Sequence, residues 1–451
     1  MTQSISLRLA EFASAFDAAR IPPPARHAGR RTILNAVALA VSSSHHPAVT
    51  ATLEAVRAMS TPPRASVLGR SERVGTAWAA LLNGMAVHVE DFDDTHLRTV
   101  IHPGAPIVPA ALAVGEEVAA SGAETVTAVV IGTEIALRVG NSISPGHFDR
   151  GWHLTGTMGH LGAAAAAGRL LGLTPEQMVA ALGLAATQAA GLQEALGTMT
   201  KSFHAGKAAA DGVEAALLAR AGFTGPAEPI EGRRGLLNVS APAPRPKVIG
   251  ENLGAQWEIE SNTFKPYPCG IVSHPVIDAG IALRDQIEKA EDIESVEAIV
   301  NPVVLDVMGV KDPKDGLQSK FSMYHCFAIG FLYGRAGLNE YTDKVARDPA
   351  VSDLRRRVHA TLDSGIAMDA ALVTVRTTSG DYFRHHVVHA TGSEAVPMTD
   401  EQLREKARLA ATPILGDRTD QLLTTLNDID TLENVRTLTE AASGAEDAAH
   451  A

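Results

Sequence analysis

Apolar side chains recur at helical spacing through most of the chain before residue 240, the pattern of helices that each bury one face. The opening stretch MTQSISLRLAEFASAFDAAR follows it, RRTILNAVALAV continues it after IPPPAR, and HPAVTATLEAVRAM carries Pro47 near its first turn. GTAWAALLNGMAVHVEDF is apolar on nearly every side as far as His88, as expected of a helix buried in a bundle. PGAPIVPAALAVGEEVAA and AETVTAVVIGTEIALRVG follow in the same style. Thr174, Pro175 and Gln177 stand at the N-cap, N1 and N3 positions of LTPEQMVAALGLAATQAAG and predict a capping box. Gly222 is placed to end the helix containing GKAAADGVEAALLARA.

Beyond residue 240 the pattern changes. The proline-rich APAPRP, residues 241–246, predicts a semi-rigid connector. VEAIV and VHATL alternate as strands do, and ALVTVRTTSGDYFRHHVVHA reads as two strands around a Ser379-Gly380 turn. MTDEQLREKARLAATPIL returns to helix with Thr399 and Gln402 as a second capping box, and the terminal SGAEDAAHA is expected to fray. The fold class predicted is mainly α. A large all-helical domain takes residues 1–263 and 398–451, and a smaller α+β lid domain takes 264–397.

Composition fits that reading: aromatic residues are only 4%, whereas Ala and Gly abound, which suits closely packed helices better than β-sandwiches. The formal net charge of −12, with no basic block, excludes the electrostatic footprint of a nucleic-acid binder. Cys269 and Cys326 are the two cysteines, too few and too far apart for a disulfide scaffold. The N-terminal stretch lacks the apolar core of a signal peptide, and no run reaches the roughly 18 consecutive apolar residues of a spanning helix. A cytoplasmic chain with no membrane partner is expected.

Candidate chemistry is concentrated in five runs. HVEDFDDTHLRTVIHPG, residues 88–104, holds His88, His96 and His102, and Asp91 and Thr95 would share a face if the preceding helix continued. Its bland reading is a solvated acidic helix end. Read literally, Asp91 to Thr95 also matches the DxDxT of Mg²⁺-dependent phosphatases. That motif belongs at the end of a strand, however, and the late GDRTD at 416–420 is one residue short of its partner motif. A mononuclear metal site is chemically possible, but no HExxH or CxxC spacing supports it. GHFDRGWHLTGTMGH places His153 ahead of a Gly-Ala-rich helix expected to start near His160, where free N–H groups suit a carboxylate. GTMTKSFHAGKAAADG sets Lys201, His204 and Lys207 at or before a helix start, where cations oppose the helix dipole unless an anion is present. FKPYPCGIVSH puts Lys265 and His274 around a loop that would suit a mouth between domains, with Cys269 better read as a buried thiol. QSKFSMYHCFAIGFLYG carries Tyr324 and His325 at the head of an apolar helix, where Tyr324 either donates to a ligand or packs.

In order and spacing these runs resemble the MmgE/PrpD family, which includes 2-methylcitrate dehydratase, cis-aconitate decarboxylase and iminodisuccinate epimerase. The resemblance implies a helical domain built from both chain ends, a smaller lid, a homodimer, and chemistry on a small anionic carboxylate without metal or organic cofactor. It puts Asp91, Thr95 and His102 on one wall of a pocket, His153 and Lys201 on another, and Tyr324 near the lid. Lys265 and His274 match the family's loop at the domain junction, and His204 and Lys207 match no assigned position. Asp91, His102, His153 and Tyr324 are thereby the catalytic candidates, and Thr95, Lys201, Lys265 and His274 the substrate-binding ones. The activity implied is a lyase, by dehydration or decarboxylation, with epimerisation by the same proton abstraction as the alternative. Charge developing beside a carboxylate requires a positioned base together with cations and donors, which explains these residue types. On this reading Lys201 and Thr95 hold carboxylates, His153 and His102 exchange protons, Asp91 orients a histidine, and Tyr324 completes donor contacts as the lid closes.

Overall fold

Apolar periodicity becomes helix wherever a cap or a proline fixes the start, and small residues then set how closely the helices approach. The computed structural model describes residues 3–444, so the fraying expected of SGAEDAAHA falls almost wholly outside the described residues. The chain forms two compact units. Within the described residues, the helical unit comprises 3–89, 93–262 and 399–444, and the second unit comprises 90–92 and 263–398.

The helical unit is built on α1 (Ile5–Ala15), α2 (Pro23–Ser42), α3 (Pro47–Ala58), α4 (Thr76–His88), α5 (Gly104–Val118), α6 (Gly122–Ile143), α7 (Leu154–Leu170), α8 (Pro175–Gln188) and α9 (Met199–Arg220). Pro47 is at the start of α3, Thr174 and Gln177 form the capping box of α8, and Gly222 follows α9 with φ 94°. APAPRP lies inside this unit, between the short helices Leu236–Ser240 and Lys247–Gly250. By length and composition α6 is apolar enough to cross a membrane, yet it is a core helix, almost wholly buried, with Glu134 ion-paired to Arg138 at 2.6 Å.

Three local expectations are corrected. The helix carrying His88 stops there, and Asp91 takes φ 53°, so Asp91 and Thr95 do not share a helical face. Helix α7 starts at Leu154 with His153 as its N-cap residue, which puts His160 well inside it. Helix α9 starts at Met199, so Lys201, His204 and Lys207 are helical residues.

The core of this unit is α9 packed on α7 and α4, with α6 on the other side of α7. Side-chain-free positions make these approaches possible. A Cβ on Gly84 of α4 would sit 2.8 Å from the Cα of Gly206 of α9, and one on Gly132 of α6 would sit 2.5 Å from the Gly162 carbonyl oxygen of α7. Ala and Gly therefore act here as spacers of zero or one carbon, and the low aromatic content follows from the lack of room.

In the second unit, α10 (His274–Arg284) and α11 (Met323–Tyr333) pack together beside a four-stranded sheet. Its strands are β1 (Ile293–Val300), β2 (Val358–Leu362), β3 (Ala371–Thr377) and β4 (Tyr382–Val387), in the order β2-β1-β3-β4. β1 pairs in parallel with β2 and antiparallel with β3, and β3 pairs antiparallel with β4 around the Ser379-Gly380 turn. Ala371, Val373 and Val375 alternate into the core while Leu372, Thr374 and Arg376 face away, as the period of two requires. The chain then returns to the helical unit as α12 (Asp400–Leu415), started by the Thr399–Gln402 capping box and packed on α2.

Gly206→Ala is expected to place its methyl group against the Leu81 carbonyl oxygen and the Met85 side chain, forcing α4 and α9 apart. A loss of about 1–3 kcal/mol in denaturant unfolding is expected for such overpacking. An unchanged midpoint would show that the two helices can separate freely.

Candidate active site

The run after α4 folds back on itself because its polar groups satisfy one another. Asp93, fully buried, accepts from His88 Nδ1 at 2.7 Å and lies 3.5 Å from His102 Nδ1. His102 Nδ1 also donates to the Asp94 carbonyl oxygen at 2.9 Å and lies 3.0 Å from Thr95 Oγ1. A carbonyl can only accept, so the neutral ring carries its hydrogen on Nδ1 and its basic lone pair on Nε2. Val100, two residues before His102, has φ 56°, a costly conformation for a β-branched residue that this hydrogen-bonded loop sustains. The Asp94 carboxylate accepts from the Gly104 N–H that opens α5, at 3.1 Å, and from Asn262 Nδ2 at 2.6 Å. Burial, then the neighbouring Asp93 charge, pushes Asp94 up to about 7 against those hydrogen bonds. The third histidine of the run, His96, faces Glu258, whose carboxyl is held down at about 2 by His96 and Arg98 against the opposing effect of burial.

His153 meets this cluster from the start of α7. Its backbone N–H bonds to Gly191 O at 3.0 Å, and Trp152 pairs with Leu192 as an isolated bridge, so the loop before α9 fixes the GWH run. The His153 ring stacks on His88 with centroids 5.5 Å apart, and His88 lies 4.9 Å from His102. His153 Nδ1 is 3.1 Å from His204 Nδ1, an approach that Gly156 permits because a Cβ there would lie 3.0 Å from the His204 Cβ. Burial, followed by the charges of His88, Lys201, His102 and His204, holds His153 well below the ordinary imidazole range. His204 is brought down to about 4 by burial and then by His88, Lys201 and His160. Deeper in the unit, His160 bonds to Gly156 O and to Asp211, which also pairs with Lys207.

The helical unit thus brings together Thr95, His102, His153 and Lys201 of the sequence-stated candidates, and adds His88, Asp93 and His204. Asp91, Lys265, His274 and Tyr324 belong to the second unit. Asp91 Oδ1 is ion-paired with Lys265 Nζ at 3.1 Å, and Lys320 holds Glu90 at 2.7 Å. Asp93, two residues beyond Asp91, is a carboxylate that lies against both His88 and His102. His274 is wholly buried beside Cys269. Burial alone would raise that thiol, but the Cys326 thiol that donates to it and the neighbouring His274 outweigh burial and hold it well below its usual value. Tyr324 is buried in the first turn of α11, and burial lifts its hydroxyl above the ordinary phenol value.

His88, Asp93 and His102 offer ligand atoms within 4.8 Å of one another, the donor set and count of a three-ligand metal site. Here those atoms bond directly among themselves, His88 to Asp93 and His102 to Asp94 and Thr95. The DxDxT match follows a helix rather than a strand, and GDRTD forms a 3₁₀ turn running into the helix Thr419–Asn427, so the phosphatase context is missing.

Fold and cluster together define a mainly helical, two-unit chain with imidazole and carboxylate groups gathered and hydrogen-bonded in the interior of its helical unit. It belongs to the MmgE/PrpD family: residues 7–249 match the MmgE/PrpD N-terminal domain and residues 267–429 the C-terminal domain. The chain is 26% identical over 471 residues to the cis-aconitate decarboxylase-like protein oryM of Aspergillus oryzae, covering 98% of each. It is 27% identical over 402 residues to the cis-aconitate decarboxylase of Mus musculus, covering 84% of this chain and 81% of that protein. To the 2-methylcitrate dehydratase of Escherichia coli K12 it is 28% identical over 254 residues, half of each chain.

Because folded Asp94 holds its proton up to about pH 7 while an ordinary aspartate releases it near 3.8, protonation of Asp94 favours the fold. That contribution is complete below about pH 4 and is lost as the pH rises through about 7. Asp94→Asn should therefore flatten the decline of stability over this range, by on the order of 1–4 kcal/mol, in denaturant unfolding at stepped pH. Parallel pH profiles for the two proteins would remove Asp94 as the titrating group.

Proposed function

We propose that this chain is a lyase for a small di- or tricarboxylate, working by proton transfer next to a carboxylate without metal or organic cofactor. Decarboxylation of a cis-aconitate-like substrate is the first form to test. The observation that carries the reading is the gathering of His88, His102, His153, His204 and Lys201 in the helical unit, where burial and then the neighbouring charges depress His153 and His204. An anionic substrate supplies the negative charge that this set is short of. Relatives named for cis-aconitate decarboxylation match 82–98% of the chain, whereas the dehydratase match covers half of it, which favours decarboxylation over dehydration.

Lys201, in the first turn of α9, adds a cation to the positive end of a helix dipole, so a carboxylate there meets both. Thr95 supplies a hydroxyl beside His102. When CO₂ leaves, its bonding electron pair stays on carbon, and an imidazole N–H must deliver a proton to that carbon. We assign this to His153 and to His102 once its Nε2 has taken up a proton, and Asp93 stabilises the positive charge that this protonation puts on His102.

Purified, chelator-treated protein is to be followed by NMR in D₂O with cis-aconitate, 2-methylcitrate and iminodisuccinate. CO₂ loss is expected from the first. Alkene formation from the second, or α-deuteration of the third without net change, would move the reading to dehydratase or epimerase, and activity lost with the chelator would overturn metal independence. Lys201→Ala is expected to raise KM roughly 10- to 100-fold, the worth of a hydrogen bond to a charged group. His102→Ala should chiefly lower kcat, by ~10²–10⁴-fold. The opposite pattern would reverse the two roles.

A further inference from the structure

Decarboxylation consumes one proton per turnover, since R–COO⁻ and H⁺ become R–H and CO₂. A buried donor must therefore be recharged from water. His153 is 6% exposed, yet its Nδ1 is hydrogen-bonded to the Nδ1 of His204, which is only half-buried. In a bond between two Nδ1 atoms, one proton lies between the rings and both Nε2 atoms point outward from the pair. Among the described residues neither Nε2 has a hydrogen-bond partner, and neither is among the sealed polar atoms. Two imidazoles joined in this way have one open nitrogen at each end.

We propose that His204 is a positioning and proton-relay residue for His153, passing a solvent proton through the shared Nδ1–Nδ1 hydrogen bond to the buried ring. The inference rests on the lyase reading above. In the transfer, His204 Nε2 takes a proton from water, the Nδ1 proton of His204 moves to His153 Nδ1, and the Nε2 proton of His153 bonds to the carbon left by CO₂. One proton enters and one leaves, and the two rings exchange tautomers. Once product has gone, water entering the vacated site gives a proton to His153 Nε2, the Nδ1 proton of His153 returns to His204 Nδ1, and His204 Nε2 releases its proton to solvent, which restores both tautomers with no net change in protons.

The surroundings favour this direction. Lys201 and His88 bear on both rings, His102 bears on His153, and His160 bears on His204, so a cation lodged on the buried ring is opposed from every side. Handing the proton on through His204 keeps charge on the half-exposed ring, where water solvates it. A Cβ added at Gly156 would lie 3.0 Å from the His204 Cβ and one at Gly191 3.4 Å from its ring, so these two glycines leave the room in which His204 meets His153.

Three proteins, the wild type, His204→Ala and His204→Gln, are to be assayed on cis-aconitate with and without added imidazole. Both variants are expected to lose kcat about 10- to 100-fold with KM nearly unchanged, within the range that positioned proton transfer contributes. Free imidazole should restore His204→Ala in a saturable manner and leave His204→Gln unaffected. Wild-type kcat in either variant, or a loss in His204→Ala that imidazole does not repair, overturns the relay and leaves His204 a packing residue. If the wild type turns over no carboxylate, the lyase reading falls by itself, and the relay is judged by ¹⁵N NMR of the ligand-free protein. A single proton shared between the two Nδ1 atoms supports it, and two Nδ1 atoms with no common proton refute it.

Discussion

The fully buried hydrogen bond between the Asp93 carboxylate and His88 is the contact on which the rest of the helical unit's polar interior depends. A carboxylate without water is stable only when donors surround it, and Asp93 has His88 at 2.7 Å and His102 at 3.5 Å. Serving both rings from one side chain forces the chain after α4 to turn back within a few residues. That turn brings the Asp94 carbonyl and Thr95 hydroxyl onto the same nitrogen of His102, so one buried charge settles the tautomer of one histidine and the placement of another. His88 in turn offers its face to His153, and the cluster extends to a second helix through stacking.

Such a cluster exists only because the helices around it approach closely. At Gly84 with Gly206, Gly132 with Gly162, and Gly156 with His204, side-chain-free positions let backbone meet backbone or ring. A larger residue at Gly156 would separate α7 from α9 and with it His153 from His204. The same glycines and alanines that form the apolar core therefore set the distances between the polar groups. Core packing and the geometry of the polar cluster are here a single constraint.

Much of the fold could be read from pattern and caps. The capping boxes at Thr174 and Thr399, the Gly222 stop, and the hairpin at Ser379-Gly380 rest on local chemistry, and local chemistry is what a sequence displays. Helix starts near the cluster were misplaced because His153 begins α7 without a side-chain cap, and Thr198 likewise begins α9 without one. Thr95, His102, His153 and Lys201 stood out by residue type and company. Asp93 did not, since Asp91, Asp93 and Asp94 are equivalent on paper, and only the φ of 53° at Asp91 turns that residue toward Lys265 and leaves Asp93 for the histidines. His204 was seen but had no role to fill, because its partner lies 51 positions earlier.

The net charge of −12 and the cationic interior are reconciled by burial. In water, four imidazoles and a lysine would share counterions, and each ring would titrate near its ordinary value. Inside the protein, burial first and the neighbouring charges second bring His204 down to about 4 and hold His153 well below its usual range. Both of these rings are then neutral at pH 7, and the protein keeps their hydrogen-bonding capacity without the cost of two buried cations. An anion placed beside these two rings opposes the Coulomb contribution of their neighbours and raises the affinity of both for protons. Acidity in this cluster is therefore a property of the occupied state, which is what a donor must have if it is to protonate a carbanion and not be spent on water beforehand.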